Sequence, residues 1–107
     1  MKYKNIEYEY DPQGNQYWYN ESGDYHRDNG LPAKEYSNGD REWYRHGELH
    51  RDNDLPAVVL VVEEFKSWWN DGVLTRFGDK PAVEISDGTK EWWLEGECYR
   101  FDIWVVI

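Results

Sequence analysis

Two passages of the chain contain residues that could do phosphotransfer chemistry: HRDNGLPA at 26–33 and HRDNDLPA at 50–57. Each carries the His-Arg-Asp tripeptide that supplies the catalytic base in protein kinases. That machinery also needs an Asn five residues after the Asp to hold a metal ion, and a Gly-rich loop and a strand Lys on the nucleotide phosphates. Five residues after Asp28 stands Ala33, and five after Asp52 stands Ala57. No G-x-G-x-x-G and no Asp-Phe-Gly occurs, and 107 residues suffice for one domain, not for a two-lobed kinase. The tripeptide is better explained by its repetition.

Other reactive residues fare no better. His46 and His50 are four apart with Asp52 and Asp54 nearby, but that spacing aligns metal ligands on a helix, and this segment reads as turn. No Cys pair and no H-E-x-x-H motif supports a metal site. Cys98, the single cysteine, has no activating neighbour in sequence and reads as a partly buried strand residue. With 22 acidic residues, no carboxylate pair for general acid–base work can be singled out. The expectation is a protein that is not an enzyme and uses neither cofactor nor metal.

The repetition organises the whole chain. Trp18, Trp43, Trp68 and Trp92 follow one another at 25, 25 and 24 residues. Gly23, Gly47, Gly72 and Gly96 keep step, as do Arg27, Arg51, Arg76 and Arg100. Pro32-Ala33, Pro56-Ala57 and Pro81-Ala82 come five residues after the first three Arg, and Gly14, Gly39, Glu64 and Gly88 stand four before each Trp. The repeats cover approximately 6–30, 31–54, 55–79 and 80–107 of a single domain.

Between these markers lie short β-branched and aromatic runs: EYEY (7–10), QYWY (16–19), EWY (42–44), VVLVV (58–62), SWW (67–69), AVEI (82–85), EWW (91–93) and WVVI (104–107). DPQG, SNGD and SDGT suit tight hairpin turns, and each Pro belongs at or just before a strand's first residue. No helical period is present. The expected fold is all-β, an antiparallel meander of about nine short strands built from β-hairpin repeats. Strand alternation puts the Trp column on one face and Tyr19, Tyr44, Trp69 and Trp93 on the other, where they are either exposed or covered by a second layer.

These marks resemble a known class. WYRHGELH at 43–50 fits W-x3-G-x2-H and is similar to the MORN repeat; the fuller phrase of Gly, His-Arg and Pro-Ala resembles the MORN-like repeats of bacteriophage and large-virus proteins. This chain has His26-Arg27 and His50-Arg51 where the standard pattern has His-Gly. The resemblance implies a β-hairpin scaffold and no particular activity.

Charge narrows the partners. With 22 acids against 12 bases the net charge is −10, which repels phosphate backbones and anionic lipid and speeds association with a basic partner. No direct nucleic-acid or membrane contact is expected. A lone cysteine and a charged N-terminal stretch without an apolar run suggest the cytoplasm, here of a host cell. The leading expectation is a non-catalytic acidic binding protein of viral type that blocks a basic protein or nucleoprotein complex, as an anti-CRISPR inhibitor acting by DNA mimicry would. Its candidate contacts are Glu63, Glu64, Glu91, Glu95 and Glu97, with Trp69 and Trp93 as aromatic anchors. One alternative is a protein that sequesters a nucleotide signal through Arg27, Arg51 and Arg76, although a repeated Arg beside Trp and Asp is first a structural stack and ion pair. Another is a structural or assembly module. The C-terminal FDIWVVI either completes a sheet within the monomer or pairs across a two-fold axis in a homodimer, the preferred of the two.

Overall fold

The computed structural model describes residues 7–103. Nine strands form one antiparallel sheet in the order β1 (Glu7–Tyr10), β2 (Gln16–Tyr19), β3 (Lys34–Glu35), β4 (Arg41–Glu42), β7 (Val58–Leu60), β8 (Phe65–Ser67), β11 (Val83–Ile85), β12 (Lys90–Leu94) and β13 (Glu97–Asp102). Two further hairpins, β5 (Tyr44–Arg45) with β6 (Glu48–Leu49) and β9 (Trp69–Asn70) with β10 (Val73–Leu74), extend from it. The molecule is a slab of 59 × 29 × 18 Å. The expected all-β meander of hairpin repeats is the observed architecture.

The runs EWY and SWW are not single strands. Each breaks at its Trp, because the Trp backbone changes partner there. The Trp43 N–H donates to Ala57 O at 2.8 Å, within the sheet, while its carbonyl accepts from His50 N at 3.0 Å, within the outer hairpin. Trp68 does the same with Ala82 and Thr75, and Trp18 with Ala33 and His26. The Trp is therefore a corner at which the strand leaves one ladder and enters another.

Each corner is filled in one way. The Trp indole N–H donates to a carbonyl of the preceding wide loop: Trp43 to Gly30, Trp68 to Asp54, Trp92 to Asp79, at 3.0–3.3 Å. An Arg guanidinium lies on the ring at 3.6, 3.7, 3.8 and 3.9 Å for Arg27, Arg51, Arg76 and Arg100. The first three also donate to the carbonyl of the Pro five residues on. Ala33, Ala57 and Ala82 are fully buried, leaving no room for a larger side chain at the close approach of two strands. Trp43, Trp68 and Trp92 are buried with them. This column, one corner per repeat, is the core.

The wide loops reverse the chain through pairs of left-handed residues: Asn29-Gly30, Asn53-Asp54 and Gly78-Asp79 all have positive φ. Asn, Asp and Gly are the residues that tolerate this conformation, which explains the phrase preceding each Leu-Pro-Ala or its equivalent. Among the described residues the last repeat has no such pair. After Arg100 the chain continues straight along β12, pairing Trp92 with Arg100, Glu91 with Phe101 and Lys90 with Asp102. The WVVI strand and the apolar end invoked for a homodimer, at 104–107, lie outside the described residues.

Candidate functional site

Cross-strand register assigns the two faces. Tyr17, Lys34, Glu42, Val58, Ser67, Val83, Glu91 and Phe101 run across the sheet in one row, and Gln16, Glu35, Arg41, Val59, Lys66, Glu84, Lys90 and Asp102 in the next, on the opposite face. The second aromatic column belongs to the first of these faces and is half-buried. Three of its polar tips are tied to the residue two positions earlier, Tyr44 Oη to Glu42, Trp69 Nε1 to Ser67 Oγ and Trp93 Nε1 to Glu91, at 2.8–2.9 Å, while Tyr19 Oη donates to Glu9 at 2.6 Å. Trp69, Trp93 and Glu91 are thus engaged within the sheet face. Towards the first repeats this face becomes a tyrosine cluster, with Tyr25 5.1 Å from Tyr19 and 5.2 Å from Tyr44 between ring centres. Lys34 Nζ sits 4.1 Å over the Tyr25 ring. Burial, and then the Glu42 carboxylate, push the Tyr36 and Tyr44 hydroxyls above their ordinary pKa.

The sheet has two long rims, both rich in acids. At the near rim lie the turns at 11–14, 36–40, 61–64 and 85–89. Three of its carboxylates cap the chain: Asp11 accepts from the N–H groups of Gln13 and Asn15, Asp40 from Val61 N–H, and Asp87 from Thr89 N–H. Capping holds the Asp87 carboxyl below its usual pKa, the Thr89 backbone N–H being the main cause. Glu63 and Glu64 also stand on this rim, exposed.

At the far rim the outer hairpins stack. Gly47, Gly72 and Gly96 donate to Tyr25 O, Leu49 O and Leu74 O at 2.8–3.0 Å. A Cβ on Gly47 would lie 3.3 Å from the Asp24 side chain, and one on Gly72 3.4 Å from Glu48, so these glycines serve both the left-handed turn and the close stack. Stacking brings Glu21, Asp24, Glu48, Asp71, Glu95 and Glu97 onto one exposed rim. Among them only Asp71 has a side-chain partner in the described residues, Arg45 at 2.9 Å, which holds its carboxyl below the usual range. The remaining five carboxylates project without a hydrogen bond from the described chain.

The candidate acids therefore do not form one site. Glu95 and Glu97 belong to the far rim; Glu63 and Glu64 lie on the near rim, beyond the far end of a five-residue strand spanning roughly 17 Å. Glu21, Asp24, Glu48 and Asp71 join Glu95 and Glu97 instead. Their signal was available: Asp24, Glu48 and Glu97 each follow the repeat Gly, while Asp71 and Glu95 each precede it.

Beside the corners, two equivalent grooves of about 450 Å³ separate successive wide loops, one reaching Arg27 and Arg51, the other Arg51 and Arg76. His26 and His50 line them in a fixed state. His26 Nδ1 accepts the His46 backbone N–H at 3.0 Å and its Nε2 faces Asp28 Oδ1 at 2.8 Å. His50 Nδ1 accepts the Asp71 N–H at 3.0 Å and its Nε2 faces Asp52 at 2.7 Å. A backbone amide only donates, so Nδ1 must be the unprotonated nitrogen and Nε2 carries the proton. Both ring nitrogens are used, leaving neither for proton transfer or metal ligation. Thr75 Oγ1 takes this place in the third repeat, accepting Glu95 N–H at 2.9 Å. The His of the kinase-like tripeptide is thus a cap on the next hairpin tip.

The three arginines differ in their surroundings. Arg27 meets Glu35 at 3.1 Å; Arg76 meets Asp54 at 2.9 Å and Glu84 at 3.4 Å. Arg51 has no carboxylate within 4.0 Å among the described residues, and burial pulls its pKa down. No group of three or more His, Cys, Asp or Glu side chains among the described residues is placed to hold a metal ion. Comparison with known proteins returns no match: no family model, no curated protein and no solved structure is significantly similar to the chain.

Proposed function

We propose that the protein is a non-catalytic binding protein whose far rim docks into a basic groove on another protein. The observation that carries this reading is the row of exposed carboxylates along the stacked hairpins, five of them without a partner among the described residues: Glu21 and Asp24 on the first hairpin, Glu48 on the second, and Glu95 and Glu97 on the fourth, while Asp71 of the third is held by Arg45. Neighbouring strands lie about 4.8 Å apart and each repeat contributes two, so acids at equivalent positions recur at roughly 10 Å. Such a row presents fixed negative charge to a surface shaped for a polyanion, and the net charge of −10 steers the approach. The grooves argue for binding rather than turnover, because their imidazoles are fully committed to the chain.

The resemblance to phage and large-virus repeats gives this reading a setting: an inhibitor, in the cytoplasm of a host cell, of a nucleic-acid-handling defence of the kind that anti-CRISPR proteins block. A nucleotide-sequestering role through the arginine row is less well supported, since Arg27 and Arg76 already pair with carboxylates of the chain.

A tagged pull-down from host lysate at low and high salt, with mass spectrometry of the eluate, tests the proposal. A basic nucleic-acid-binding complex should be captured at low salt and displaced by salt or by DNA. The triple variant Glu48→Lys, Glu95→Lys and Glu97→Lys should abolish capture. Capture indifferent to salt and to those three substitutions would rule out the acidic rim as the contact.

A further inference from the structure

We infer that Arg51 is an open carboxylate-binding site, which takes a small monocarboxylate with a branched apolar body. The inference is independent of the acidic rim and rests on comparing Arg51 with Arg76.

Arg76 lies on Trp68 and its fork is filled from two sides. Asp54, whose carbonyl accepts the Trp68 indole N–H, places its two carboxylate oxygens 2.9 Å from Arg76 Nε and 3.3 Å from Nη2. Glu84, two residues after the buried Ala82, approaches Nη1. Arg51 lies on Trp43 in the same way, and the Trp43 indole N–H is accepted by Gly30. Gly30 occupies the loop position of Asp54, and Val59, two residues after Ala57, occupies the position of Glu84. Both carboxylates that neutralise Arg76 are therefore missing at Arg51, while the ring, the Pro carbonyl and the backbone that hold the guanidinium are retained.

The third repeat supplies the template for what would fill the gap: a carboxylate presented end-on to Nε and Nη2, the paired geometry in which Arg binds carboxylates well. There is room for it. A Cβ built on Gly30 meets nothing within 4 Å, and the adjoining groove of about 450 Å³ falls within the size range of small-molecule sites. Leu31 and Leu55 border this groove and are 44% and 42% exposed, which suits an apolar body attached to the carboxylate. Arg27 and Arg45 also border the groove but are held by Glu35 and Asp71, and Asp28 and Asp52, bonded to His26 and His50, border it too; Arg51 is the cation left open there, and one guanidinium beside these carboxylates favours a monoanion over a phosphate dianion.

The test uses N-acetyl-L-leucine as the probe, with N-acetyl-L-leucinamide and inorganic phosphate as controls. The side-chain Nε–H of Arg51 and the indole N–H of Trp43 are followed by ¹⁵N NMR. Saturable shifts are expected with the carboxylate, none with the amide, and a weaker response to phosphate. Gly30→Asp, at a left-handed position like that of Asp54, should place a carboxylate on Arg51 from within the chain and weaken probe binding by about tenfold or more. Should that variant not fold, Val59→Glu introduces a carboxylate from the other side and should weaken binding likewise. No saturable shift, an equal response to the amide, a stronger response to phosphate, or undiminished binding in a folded Gly30→Asp or Val59→Glu protein would each overturn the assignment.

Discussion

The corner and the far rim are parts of the same hairpins, yet they are built on opposite principles. At the corner every repeat carries Trp and Arg, the first three add Pro-Ala, and the indole, the guanidinium and the Pro carbonyl find one another in the same order. At the rim the residue before the repeat Gly is Ser22, His46, Asp71 or Glu95, and from the second hairpin on only the left-handed backbone and the stack onto the previous hairpin persist. Repetition of side chains thus marks what folds the slab. Variation over a fixed backbone marks the surface free to meet a partner.

Removing a corner ring should break this contrast most visibly. Trp68→Ala takes out a buried indole, its hydrogen bond to Asp54 and the platform for Arg76. A loss of about 3–5 kcal/mol is expected by urea denaturation, a large fraction of the stability of a domain this size. The triple Lys variant of the far rim should stay within about 0.5 kcal/mol per site of the parent. A comparable loss at both places would erase the distinction between folding core and free rim.

His50 joins the two regions, and its expected effect is the next largest. It is buried at the corner level and caps the Asp71 N–H at the rim. His50→Ala leaves that donor without its acceptor and should cost about 1–3 kcal/mol. His50→Thr should recover much of this, because Thr75 performs the same task in the next repeat. If Thr were no better than Ala, the cap would not be the reason for a polar residue here.

Acid should separate the third repeat from the second. Hydrogen bonds from Arg76 and Lys80 hold the Asp54 carboxyl down at about 2, below its ordinary 3.8. A carboxyl depressed in the folded state contributes stability that is fully present above the unfolded value and is lost as pH falls from there through about 2. The side chain is 42% exposed, so salt should shrink the effect. Asp54→Asn should flatten the acid limb of the urea midpoint between about pH 4 and 2, whereas Arg51→Lys, with no carboxylate partner among the described residues to lose, should leave that limb unchanged. An identical acid limb in parent and Asp54→Asn would show that the pair is screened away.

The 24–25-residue period made the repeats, the meander and the tight turns legible in sequence, because Gly, Pro and Asn-Gly or Asn-Asp pairs have few backbone conformations open to them. The Arg-on-Trp stack was legible for the same reason: two large groups held one period. The break of the strand at Trp43 and at Trp68 was not, since alternation treats EWY and SWW as continuous and only the ladder partners reveal the corner. Which acids share a rim was marked in sequence only by their place beside the repeat Gly, a mark that Glu63 and Glu64 lack. Apart from that mark Glu63 and Glu95 look alike in a linear chain, and it takes the strand between them to put them on opposite sides. The open Arg51 emerges only when Gly30 and Val59 are superposed on Asp54 and Glu84.

The smallest effect concerns the near rim and bears on the same division. Glu64 occupies the place of Gly14, Gly39 and Gly88 and has φ of 51°, a conformation that disfavours a side chain. Its turn holds four residues between Leu60 and Phe65, where the preceding one holds three between Tyr36 and Asp40. Glu64→Gly should relieve the strain but add freedom to the unfolded chain, for a net gain of about 0.5 kcal/mol. The same variant separates the two rims as contact surfaces. Sequence reasoning placed Glu64 among the partner contacts; the far-rim reading requires its removal to leave capture of a basic partner intact while slightly raising the urea midpoint. Loss of capture in a protein of undiminished stability would move the contact to the near rim and return Glu63 and Glu64 to the site.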